Sequence, residues 1–83
     1  MITVIDKTDV RIRKHLMRFI PERLAELGMS EADLARMTGD STAQINRAAR
    51  GVNTPSLAFG MRLADALKCS LDELCGHAVH ANS

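Results

Sequence analysis

Tryptophan and tyrosine are absent from this chain, and Phe19 and Phe59 are its only aromatic side chains in 83 residues. So few ring faces argue against a platform that stacks the bases of a single strand. No apolar run approaches the roughly 18 residues of a membrane span. A basic start, apolar stretch and small-residue cleavage site are also missing, so a cytoplasmic protein is expected. The two cysteines, Cys69 and Cys75, flank a segment that reads as helical, which suits a reducing compartment better than a disulfide framework. With His77 and His80 they would form C-x5-C-x-H-x2-H, not a common zinc spacing, and no metal or cofactor is expected. The five glycines stand singly, so no phosphate-cradling loop exists. No Ser, Cys or Thr has a histidine partner by motif, and a nucleophile needs a base beside it. Catalysis is therefore not expected.

A charge excess is lacking too. The net charge is +1, which does not announce a polyanionic partner. Its distribution is uneven: Lys7, Arg11, Arg13, Lys14 and Arg18 face only Asp6 and Asp9 within the first nineteen residues. A basic start is thus joined to a mildly acidic body.

What is present is helix-forming and apolar. Hydrophobic residues make up 46% and charged residues 25%, enough for one small core without staples and too little chain for two domains. Ile2 to Ile5 is a short β-branched run, either a loose terminus or a segment able to pair with a second subunit. From Val10 the apolar residues Ile12, Leu16, Phe19, Ile20, Leu24 and Leu27 fall three and four apart and mark one helix face. Thr8 is a candidate cap, Pro21 should kink or split this helix, and Gly28 should end it.

Capping boxes punctuate the rest. Ser30 with Asp33, Ser41 with Gln44 and Ser70 with Glu73 each place a hydroxyl before a helix and an acid or amide three residues on. They predict helices over 31–38, 42–50 and from 71 to about Gly76, with a further helix from Thr54-Pro55-Ser56 to about Lys68. The expected centre comprises Leu34, Ala35, Ile45, Ala48, Leu57, Met61, Ala64, Leu67, Leu71 and Leu74. Gly60 stands mid-helix, where it costs about 1 kcal/mol against Ala, a cost that close packing would explain. The expected layout is a basic, partly helical extension over 1–19, a helical domain over 20–76 and a flexible tail over 77–83.

Two short helices separated by Gly39-Asp40-Ser41 match the geometry of a motif that reads duplex DNA. Projected at about 100° per residue, the second helix turns Ile45, Ala48 and Ala49 inward. Ala43, Asn46, Arg47 and Arg50 then face outward, with Thr42 at the border. Arg47 can pair with guanine, Asn46 with adenine, and Thr42 or Ala43 can meet a thymine methyl. The plain alternative is a solvated helix face.

Ser30-Glu31-Ala32-Asp33-Leu34-Ala35-Arg36-Met37-Thr38-Gly39 resembles the first motif helix of lambda-repressor and Cro-like proteins, the XRE family. Ser41 to Gly51 with Asn53-Thr54-Pro55-Ser56-Leu57 is similar to that family's recognition helix and following loop. Leu63 to Leu67 and Ser70 to Leu74 resemble its closing helices. The resemblance implies an all-α, five-helix fold and base contacts from Thr42, Ala43 and Arg47. It further implies phosphate contacts from Ser30, Ser41, Arg50, Asn53 and Thr54, helped by the amides that open the Glu31 helix.

Two positions depart from the family pattern. Glu31 stands where many relatives have Gln directed at the DNA backbone, and a carboxylate there would repel phosphate. Leu24 and Ala49 stand where many relatives bury an Arg–Glu ion pair. Both charges are missing together, and an apolar pair can replace them without stranding either.

The expected function is sequence-specific regulation of transcription, as a repressor bound as a homodimer to a near-palindromic site on double-stranded DNA. Control would come from its own concentration or a regulatory protein partner. The rival expectation is a protein-interaction module, an antirepressor or antitoxin-like adaptor, suggested by Glu31, Asp33 and Asp40 close to the DNA-reading motif.

Overall fold

A computed structural model describes residues 7–77, which form five helices and, within those residues, no strand. They are α1 (Lys7–Leu27), α2 (Glu31–Thr38), α3 (Thr42–Ala49), α4 (Leu57–Ala66) and α5 (Leu71–Cys75). The Ile2 to Ile5 run and most of the expected tail lie outside the described residues.

Pro21 neither splits nor ends α1, which runs 21 residues through it. Proline removes one backbone hydrogen bond, but Pro21 and the preceding turn at Met17 are exposed, where water can satisfy the orphaned carbonyl. Meanwhile Leu16, Ile20 and Leu24, on the opposite stripe, are all buried, and this packing keeps the two halves aligned. Thr8, the expected cap, lies inside the first turn of α1. The boundary expected after Phe19 also falls within this helix, because Leu16 and Ile20 share one core.

The capping chemistry builds the remaining helices. Ser30 and Ser70 form complete reciprocal boxes with Asp33 and Glu73. Ser41 and Ser56 each accept from the amide three residues on, at Gln44 and Phe59. Each cap satisfies a donor that the helix start leaves unpaired.

The core draws on all five helices: Leu16, Ile20, Leu34, Ile45, Leu63, Leu67 and Leu74 are nearly inaccessible to solvent. Leu24 and Ala49 are both buried in this cluster, so apolar packing occupies the positions where an ion pair stands in many relatives. The inward face of α4 differs from the one expected. Leu57 and Met61, expected in the centre, are 69% and 54% exposed, and Leu71 is only partly buried. Ala64 is buried as expected, and Phe59, Gly60, Leu63 and Ala66 point inward in place of Leu57 and Met61. α4 is apolar nearly all round, so two stripes satisfy helical spacing. The one carrying Phe59, Leu63 and Leu67 is the one buried.

Two links outside the core fix the helix arrangement. Arg23 on α1 donates from Nε to the Leu67 carbonyl at 2.8 Å and from Nη2 to the Lys68 carbonyl at 2.9 Å, occupying acceptors left open at the end of α4. His15 stacks on Phe19 and bonds through Nε2 to the Glu73 carbonyl at 2.8 Å, tying α1 to α5.

Candidate nucleic-acid interface

α3 is oriented by what it hides. Ile45, Ala48 and Ala49 are buried against the other helices, and the small side chains allow α3 to approach them closely. The opposite side therefore faces out, with Thr42, Ala43, Gln44, Arg47 and Arg50 exposed and Asn46 half-buried. This is the orientation that the sequence projection gives.

Of the positions expected to touch phosphate, Ser41, Arg50, Asn53 and Thr54 are brought to the two ends of α3, whereas Ser30 caps α2. Ser41 is its N-cap and Arg50 its C-cap. Gly51, with φ +70°, then turns the chain toward Asn53 and Thr54. A cleft of roughly 200 Å³ is lined by Arg47, Asn53 and Thr54 together with Gln44, Ser56 and Arg62. Gln44 and Arg62 were not singled out as site residues from sequence. Gln44 read only as a capping partner, and Arg62 comes from a helix outside the motif, so spacing gave no signal for it.

Thr54 behaves differently from its neighbours. Its hydroxyl is shielded from solvent and has no hydrogen-bond partner, so the hydroxyl is not displayed on the surface. Ser30 sits at the start of α2, where its Oγ accepts from the Asp33 amide and its own amide donates to Asp33. That carboxylate takes up part of the anion-attracting capacity of the helix start.

Each acid near this face has a donor. Asp33 bonds Arg36 as well as Ser30. Asp40 receives two hydrogen bonds from Arg62, at 3.1 and 2.9 Å. Glu31 accepts from the Asn46 amide at 3.1 Å. The Ser30 amide, then its hydroxyl, hold the Asp33 carboxyl below its ordinary range, and the Arg62 hydrogen bonds do the same for Asp40.

The basic half of α1 packs beside this surface. A Cβ added at Gly51 would stand 2.5 Å from Met17 Cγ and 2.9 Å from the Arg13 carbonyl oxygen, so that part of α1 lies directly on the turn leaving α3. Arg11, Lys14 and Arg18 are exposed and Arg13 is half-buried.

A second short helix capped by Ser41 and packed through Ile45 on a first helix capped by Ser30 is the arrangement of a DNA-reading motif. The helix-turn-helix family pattern matches residues 22–74, from inside α1 into α5. The chain belongs to the lambda-repressor-like helix-turn-helix family. No curated protein and no solved structure gives a significant match. As a helix-turn-helix domain of this type it is a DNA-binding module of transcription regulation, with α2 and α3 as the motif.

Cys69 and Cys75 are free thiols, and burial, followed by the nearby Glu73 charge, pushes the Cys69 thiol up. Among the described residues no group of His, Cys, Asp and Glu is placed to hold a metal ion. No described helix is long and apolar enough to cross a membrane.

Proposed function

We propose that this helix-turn-helix protein is a repressor that binds a near-palindromic operator on double-stranded DNA as a homodimer, reading bases with α3. The observation that carries the reading is the outward face of α3, where Arg47 is exposed directly behind a fully packed inner face. Arg47 contacts guanine through two parallel hydrogen bonds, Asn46 reads adenine, and Thr42 and Ala43 meet thymine methyl groups. Ser30, Ser41, Arg50 and Asn53 fix the register on phosphates, and Thr54 contributes through the loop backbone, because its hydroxyl is turned away from solvent.

A single module of this size buries too little duplex for tight specific binding, so two copies are needed, with half-sites about one helical turn apart. The rival reading, a protein-interaction module, draws on Glu31, Asp33 and Asp40. Each of the three carboxylates accepts a hydrogen bond within its own fold, so the surface is less repulsive to DNA than formal charges suggest. A regulatory protein partner remains compatible with the operator-binding role.

Selection of bound duplexes from a random pool at low salt, repeated with Arg47→Ala, tests this reading. Enrichment of a near-palindrome that relaxes at one base step in the mutant is expected. Weak binding unaffected by Arg47→Ala, or no enriched motif, would overturn base readout and favour the interaction module.

A further inference from the structure

Glu31 opens α2 and Asn46 sits midway along α3, fifteen residues later, yet the Asn46 Nδ2 donates to Glu31 Oε1 at 3.1 Å. Both side chains are half-buried, so the bond is sheltered while part of each group stays accessible. This contact crosses between the two helices of the motif. It joins the acid whose charge suits a DNA face least to an amide on the outer side of α3.

The chemistry of the two groups gives the bond a direction. A carboxylate accepts and cannot donate, whereas an amide has an oxygen on one side and two N–H groups on the other. Glu31 therefore dictates that the Asn46 nitrogen turns toward α2. Without such a partner the terminal amide torsion is broad and nearly two-fold, and either edge could face a base. With it, one N–H is engaged, and one N–H and the Oδ1 remain. A donor beside an acceptor is what the adenine edge requires, since adenine offers N7 as acceptor and its N6 amine as donor.

We propose that Glu31 is a positioning residue for base selection: it holds the Asn46 amide in the orientation that favours adenine. This rests on the DNA-reading function proposed above and adds a determinant that does not itself contact a base. The other acids near this face are not available for the task, because Asp33 is engaged by Ser30 and Arg36 and Asp40 by Arg62. The carboxylate lowers affinity for a polyanion in general, while its hydrogen bond sharpens the choice among sequences. Gln at this position would keep the acceptor and remove the charge.

The test compares duplex selection and competition binding for the wild type, Glu31→Gln, Glu31→Ala and Asn46→Ala. In Glu31→Ala, preference at the single base step read by Asn46 is expected to fall roughly tenfold, the scale of one two-pronged base contact. Preferences elsewhere in the motif should hold. Glu31→Gln should restore the preference, through its own Oε1, and bind more tightly at low salt. The double variant Glu31→Ala with Asn46→Ala should match Asn46→Ala alone.

Unchanged preference in Glu31→Ala, or a loss spread evenly over the motif, would overturn the inference while leaving DNA reading intact. A wild type that selects no motif would overturn both together. Thermal melts accompany each variant. If Glu31→Ala does not fold, Glu31→Ser, too short to reach the amide but a good residue at a helix start, takes its place with the same expected losses.

Discussion

Asp40 and Arg62 form a two-pronged ion pair, with Nε and Nη2 of the arginine 3.1 and 2.9 Å from the two carboxylate oxygens. The pair joins the turn between α2 and α3 to α4, 22 residues further along. Asp40 is 10% exposed at its side chain, and the arginine also lies over the Phe59 ring at 5.7 Å. The turn that sets the angle of α3 is thus clamped from outside the motif.

Acid should weaken this clamp and two caps together. Asp40 is held below its ordinary value of 3.8 by the Arg62 hydrogen bonds, Asp33 below 3.8 and Glu73 below 4.5, the last two chiefly by serine backbone amides. A carboxyl whose folded value is lowered contributes stability that is present above its unfolded value and lost as pH falls through the folded one. The melting temperature should therefore be flat near neutrality and decline below about pH 4.5. Asp40→Asn should lower it at pH 7 and flatten the acid slope. An equally steep slope in that variant would show that the pair is not a source of it.

Gly51 should be the least replaceable glycine of the motif. Its φ of +70° disfavours any side chain, and an added Cβ would meet the Arg13 backbone. Gly39, at +79°, has open space around it. The left-handed conformation alone costs roughly 1–2 kcal/mol, which is the loss expected for Gly39→Ala in urea unfolding. Gly51→Ala should lose clearly more, because α1 must move away from the turn.

Arg23→Ala removes both donors from the end of α4 and should cost about 1–3 kcal/mol, since hydrogen bonds from a charged group exceed neutral ones. Arg23→Lys should recover little, because a point-like ammonium does not reproduce the planar fork. Lys68, at φ +55°, is the described non-glycine residue with a positive φ. Lys68→Gly should stabilise by several tenths of a kcal/mol to about 1. Chemical denaturation of the three variants decides these signs.

Leu57 and Leu63 should separate the two candidate faces of α4. Leu63 is fully buried, so Leu63→Ala should lose about 2–5 kcal/mol. Leu57 is 69% exposed, and Leu57→Ala should stay within about 0.5 kcal/mol in the monomer. A large loss for Leu57 in dilute solution would mean that the inward face has been assigned the wrong way round.

The sequence by itself was enough for the starts of α2 to α5, because a serine cap bonding the amide three residues later is local chemistry. It was enough for the motif and for the inward face of α3, because Ile45, Ala48 and Ala49 fall on one side of the helix and its charged and amide residues on the other. The tertiary structure alone decided the inward face of α4, where apolar residues all round left two stripes open until the neighbouring helices chose. It also decided that α1 passes through Pro21, since packing of Leu16, Ile20 and Leu24 outweighs one lost hydrogen bond. The pairs Glu31–Asn46, Asp40–Arg62 and Arg23–Leu67 lie 15, 22 and 44 residues apart. No periodicity reports such contacts, because they depend on which helices meet rather than on what each helix contains.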